Sequence, residues 1–66
     1  MRIQLNGVPH EVTEGASVAE LITMLDLAGR RIAVELNGEI APRSQQAGLI
    51  LQAGDRVEIV QAIGGG

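Results

Sequence analysis

Residues 61–66 read Gln-Ala-Ile-Gly-Gly-Gly, and three of the chain's nine glycines occupy the last three positions. Glycine loses more conformational freedom on ordering than any other residue, and no turn, cap or bulge can use three of them at a terminus. A stretch without side chains can thread a channel too narrow for any other residue, and six extended residues reach at most about 20 Å. The stretch ends in the α-carboxylate of Gly66. That group is neither an electrophile nor a useful nucleophile as it stands. Activation by ATP to an acyl adenylate would open its carbon to attack. A sulfur donor would then leave a thiocarboxylate, a far better nucleophile than the carboxylate it replaces.

Two absences agree with this chemistry. All five basic residues are arginine, so no lysine side chain can attack an activated terminus of the same chain. There is no cysteine, so sulfur cannot be carried as a persulfide, and the terminus is the plausible attachment point. Ordering the tail in a channel costs about 1–2 kcal/mol per residue, with glycine at the upper end. The folded body therefore has to supply contacts, and Val60, Ala62 and Ile63 are the first candidates for docking. A terminal glycine run by itself also fits a frayed end. The elements that precede it decide between the two.

Ile3 and Leu5 alternate with Arg2, Gln4 and Asn6, the period of a half-buried strand. Asn6-Gly7 is a hairpin signal because a type I′ turn needs positive φ at both central positions. Val8, His10 and Val12 give the returning strand, and Pro9, which cannot donate to a ladder, puts that strand at a sheet edge. Ser17-Val18-Ala19-Glu20 reads as a capping box. Val18, Leu21, Ile22 and Leu25 follow helical spacing, so a helix is expected from about Val18 to Leu27, with Gly29 as its left-handed stop. Ile32, Val34 and Leu36 form a third strand that turns at Asn37-Gly38, and Ile40 opens a short extended piece limited by Pro42. Residues 43–51 have no clean period and read as loop with one short turn or strand. Gly54-Asp55 precedes the last strand, Arg56-Val57-Glu58-Ile59-Val60. The tripeptide Leu-Asn-Gly occurs at 5–7 and again at 36–38, which we read as two hairpins using the same turn chemistry.

Hairpin, helix, strand, irregular connection and strand leave few topologies under right-handed crossover rules. The economical one is an α+β fold, the ubiquitin-like β-grasp: a mixed sheet of four to five strands with one main helix across one face. In it the last strand lies beside the first and parallel to it. Residues 1–60 are the expected domain and 61–66 a flexible C-terminal tail. A tail that follows directly on the last strand of such a fold is a specific conjunction.

Composition sets the outer limits. A single domain of 66 residues buries only about 60% of its unfolded surface, so its core must be simple. The absence of cysteine excludes disulfide staples and thiolate metal sites. The net charge is −3 and there are no aromatic residues, whereas nucleic-acid binding relies on a basic stripe, often with stacking aromatics. The longest purely aliphatic run is Leu49-Ile50-Leu51, far short of a membrane span, and Met1-Arg2 leads into strand alternation without a signal-peptide pattern. A cytoplasmic protein, monomeric when free, is expected.

The sequence resembles the ThiS family of thiamine-biosynthesis sulfur carriers over nearly its whole length. The likeness is sharpest in VELNGEIAPR (34–43) and LQAGDRVEIVQAIGGG (51–66). The resemblance implies a β-grasp domain that is not itself an enzyme but a protein cosubstrate. Its terminal glycine, here Gly66, is adenylated by a ThiF-type enzyme with ATP and Mg²⁺. It then receives sulfur drawn from a cysteine desulfurase and passes it to a ThiG-type thiazole synthase. Gly65 is then the required small neighbour, and Gly64 is assigned to channel access. The small subunit of molybdopterin synthase shares the fold and the thiocarboxylate, but its members reach Gly-Gly through a proline-containing segment that QAIGGG lacks. A ubiquitin-like modifier joined to target lysines through Gly66 is a further alternative, as is an interaction module with an inert tail.

The remaining polar residues show no motif. His10 is the lone histidine and has no nucleophile or metal-ligand partner in sequence. Glu35, Glu39, Asp55 and Glu58 lack spacing for metal binding or paired-carboxylate catalysis and read as solvated surface. Arg56 and Glu58 flank Val57 and are candidates to face a partner, although cross-strand solvation explains them as well. Met24 reads as partial core filler.

Overall fold

The computed structural model describes residues 1–61. Asn6 and Gly7 have φ of 51° and 81°, the geometry a type I′ turn requires, and join β1 (Arg2–Leu5) to β2 (Val8–Glu11) with Leu5 opposite Val8. Asn37 and Gly38, at 53° and 85°, do the same between β3 (Ile32–Leu36) and β4 (Glu39–Ile40). The five strands form one mixed sheet in the order β2-β1-β5-β3-β4, where β5 is Arg56–Gln61. As expected, β5 runs parallel to β1, and it is antiparallel to β3. The strand carrying Pro9 is an edge, so the missing N–H interrupts no interior ladder. Because β2 is uncovered there, Val8 is 62% exposed although it falls in phase with the core.

Helix α1 (Val18–Met24) crosses one face of the sheet. Seven residues cannot sustain a helix alone, so its stability comes from its ends and its buried face. At the N-terminus the Ser17 hydroxyl accepts from Glu20 N–H at 3.1 Å, and the Glu20 carboxylate accepts from Ser17 N–H at 3.0 Å. Both halves of the expected capping box are present. Val18, Leu21 and Ile22 meet Ile3, Val34, Val57 and Ile59 in the core, each large side chain contributing about 1.5–3 kcal/mol.

The helix ends earlier than the pattern suggested. Met24 rather than Leu27 is its last residue, and the left-handed residue that stops it is Asp26 (φ 62°); Gly29 is left-handed as expected (φ 81°) but lies in the turn beyond. Asp26 N–H donates to Thr23 C=O and Leu27 N–H to Ile22 C=O, both at 3.0 Å, which is a Schellman stop. The apolar rhythm continues past the stop because Leu25 and Leu27 still pack against the core after the helix has ended. Met24 is 59% exposed and does not fill the core. Its position on the helix carries it away from the sheet.

The aperiodic stretch 43–51 contains the short helix α2 (Arg43–Gln46). It is tied to the start of α1 by Val18 N–H to Leu49 C=O (2.9 Å) and Leu51 N–H to Ala16 C=O (2.8 Å). Leu51 is 2% exposed, so this connection closes the end of the core. No helix among the described residues is long and apolar enough to cross a membrane.

Candidate functional site

The last described strand, β5, is held on both edges. On the β3 side the register runs from Leu36 opposite Val57 to Ile32 opposite Gln61. On the β1 side backbone pairing is shorter, with Gln4 opposite Arg56 and Leu5 opposite Val57. The strand includes Gln61, one residue into the segment read from sequence as tail. Ala62, Ile63, Gly64, Gly65 and Gly66, the other expected docking and sulfur-bearing positions, lie outside the described residues.

Strand alternation sorts β5 into two faces. Val57 and Ile59 are buried beneath α1, while Arg56, Glu58 and Val60 point to the open face. Val60 is 62% exposed and lies opposite Ala33. The neighbouring row on that face is Glu58, Glu35 and Ile40, linked by the registers of β3 with β5 and with β4, and Ile40 is 67% exposed. Thus Val60 and Ala33 form an apolar pair on the open face near Gln61, the last described residue, and Ile40 is exposed on the same face one strand further on. Two carboxylates lie directly opposite one another beside it, a cross-strand arrangement that destabilises a sheet. The ion pairs among the described residues are elsewhere, from Glu11 to Arg2 (3.1 Å) and to the N-terminal amine (3.8 Å).

Of the positions singled out in the sequence, Val60 is therefore exposed on the open face of the sheet. Arg56 and Glu58 share that face with it. His10 lies opposite Ile3 and is half-buried. Among the described residues no three metal-ligating side chains cluster. Asp55 has a structural part: its carboxylate accepts from Asn37 Nδ2 at 3.1 Å and from Gln52 N–H at 2.9 Å.

What sequence reasoning missed is the second use of the two asparagines. The Asn6 carboxamide accepts from Ile59 N–H at 2.8 Å and donates to Ile59 C=O at 3.3 Å. Asn37 Oδ1 accepts from Arg56 N–H at 2.9 Å. The repeated Leu-Asn-Gly thus makes two turns and also grips β5 at two points. Its recurrence was the available signal, but only the strand order brings both copies beside the same strand.

A model of the ThiS family matches residues 3–66. The chain belongs to the ThiS family. The sulfur carrier protein ThiS of Escherichia coli strain K12 is 36% identical over 66 residues, which is the full length of both chains. The crystal structure of the thiamine biosynthesis protein ThiS from Geobacter metallireducens superimposes with a TM-score of 0.85 at 36% identity, again covering both chains completely. The thiazole synthase of Magnetococcus marinus is 38% identical over 66 residues, all of this chain but 20% of that protein. This ThiS-family chain therefore spans about a fifth of the length of that synthase relative.

Proposed function

We propose that this ThiS-family chain is a sulfur carrier for thiazole formation in thiamine biosynthesis, a protein cosubstrate whose reactive group is the Gly66 carboxylate. The observation that carries the reading is the family match extending through residue 66, past Gln61 and across the whole glycine run. A carboxylate oxygen attacks the α-phosphorus of ATP on a ThiF-type enzyme, with Mg²⁺ bound to the nucleotide and pyrophosphate as leaving group. With sulfide as donor, sulfur attacks the acyl carbon, the bond to AMP breaks, and a thiocarboxylate remains. In the cell the sulfur is drawn from a cysteine desulfurase. A ThiG-type thiazole synthase accepts it, a pairing supported by the sequence shared with the longer synthase.

Gly64 and Gly65 let the terminus enter the activating channel, and Val60, Ala62 and Ile63 dock beside it. Val60, Ala33 and Ile40 supply the apolar contact, and the facing Glu35 and Glu58 favour a basic rim on the partner. The carrier works in the cytoplasm and is a monomer when free.

The experiment is intact-mass analysis after incubation with a ThiF-type enzyme, ATP, Mg²⁺ and sulfide, followed by a thiol-selective alkylating reagent. Alkylation is needed because exchanging oxygen for sulfur adds almost the same mass as oxidising Met1 or Met24. With no cysteine in the chain, an ATP-dependent adduct confined to the C-terminal fragment is the expected result. An unmodified chain, beside a positive-control carrier that is modified, overturns the reading. A lysine-linked conjugate would redirect it to a protein modifier.

A further inference from the structure

We propose that Asn6 is a positioning residue for the carrier tail, its side-chain amide standing in for the peptide unit that β1 lacks beside Ile59. The proposal rests on the sulfur-carrier reading above. Along the parallel ladder Gln4 N–H donates to Asp55 C=O at 2.8 Å and Asn6 N–H to Val57 C=O at 2.9 Å. The next step would need the backbone C=O of residue 6 to accept from Ile59 N–H, and a following N–H to donate to Ile59 C=O. The chain has by then turned away, with Asn6 at φ 51°. Its Oδ1 and Nδ2 make those two bonds instead. Ile59 is only 9% exposed, and on this edge of β5 its N–H and C=O have no other protein partner among the described residues.

The position matters because only Val60 and Gln61 separate Ile59 from residue 62. On the β3 side, pairing continues to Gln61. On the β1 side, the Asn6 amide is the last restraint among the described residues. Without that amide, β5 beyond Val57 is held by hydrogen bonds on its β3 edge alone, and its twist there is less restrained. Neighbouring strands ordinarily differ in direction by about 20–25°. A change of about 20° in the direction of β5 shifts a point about 17 Å further along it by about 6 Å, and restoring the parent direction on the partner costs binding energy.

Asn37 provides the internal control. Its amide grips the opposite end of β5, at Arg56, and also occupies a positive-φ turn position. Asn6→Gly and Asn37→Gly each delete one amide and keep a residue suited to the turn. Both are measured for backbone amide exchange and for the kinetics of ATP-dependent activation by a ThiF-type enzyme. Asn6→Gly is expected to speed exchange at Ile59 and to raise KM about fivefold with kcat unchanged, the added cost of ordering roughly one more residue. Asn37→Gly is expected to leave KM at the parent value. Asn6→Asp, which keeps the acceptor for Ile59 N–H and loses the donor, is expected to fall between, and it serves if Asn6→Gly does not fold. Equal KM values for the two glycine variants, with the parent chain activated normally, overturn the proposal alone. A parent chain that is not activated removes the sulfur-carrier reading, and the proposal with it.

Discussion

Val60 and Ile59 are adjacent, equally apolar and oppositely employed. Ile59 is nearly enclosed by the core, whereas Val60 is 62% exposed on the open face of the sheet. Val60→Thr keeps the β-branched shape that a strand favours and removes the apolar contact available to a partner. Stability is expected to stay within about 0.5 kcal/mol of the parent. The KM for activation is expected to rise roughly threefold to tenfold, about 1 kcal/mol of lost apolar contact. A far-UV circular dichroism melt and steady-state kinetics check the two halves, fluorescence being precluded by the absence of aromatic residues. An unchanged KM would take Val60 out of the docking surface. Alternation in RVEIV was enough to separate Ile59 from Val60, and adjacency to the 61–66 segment marked Val60 for docking. Ala33 and Ile40 carried no such mark, because Ala33 is set opposite Val60 by the register of β3 with β5, and Ile40 is placed one strand further on by that of β3 with β4.

At the scale of elements, α1 shows what capping chemistry reveals and where it misleads. Its start was legible because Ser17 and Glu20 have the spacing and side chains that two reciprocal bonds require. Its end was misplaced because an apolar rhythm does not distinguish a helix from a core-packed turn beyond it. Both Asp26 and Gly29 are left-handed, at φ 62° and 81°, but only Asp26 stands at the helix stop. Asp26→Val is expected to lower stability by about 1–2 kcal/mol, since a β-branched side chain is strained there. Asp26→Gly is expected to exceed the valine variant and to lie no lower than the parent. Chemical denaturation of the three chains gives the order. The facing glutamates of β3 and β5 make a different case. Glu58→Gln relieves one like-charge pair and is expected to raise stability by about 0.2–1 kcal/mol, a gain that shrinks in high salt. The same substitution is expected to slow association with a basic partner at low salt, as read by stopped-flow mixing with the activating enzyme.

For the whole molecule, one helix on one sheet leaves little reserve. A 66-residue chain has a stability of about 3–10 kcal/mol by the usual per-residue range. Leu21 is fully buried at the centre of the helix–sheet contact. Leu21→Ala is expected to cost about 2–5 kcal/mol, enough to put a large part of the population near unfolding at 37 °C. A fall of the far-UV melting midpoint by more than 10 °C is the expected reading. A fall of only a few degrees would mean that the sheet closes over the gap.

Local chemistry was sufficient for the elements that depend on it. Asn-Gly twice specified positive-φ turns, Pro9 specified an edge, Ser17 and Glu20 specified a helix start, and strand period separated inward from outward residues on β5. Those features depend on the allowed backbone angles and hydrogen-bonding groups of residues close together in the chain, so they can be read from short stretches. Tertiary structure alone placed Asn6 against Ile59, fifty-three positions away, and brought Glu35 opposite Glu58 and Ala33 opposite Val60. It also let Asp26 rather than Gly29 close the helix, because the packing of Leu27 fixed where the chain had to turn. Such pairings depend on which strand lies beside which and at what register, and those are properties of the assembled sheet.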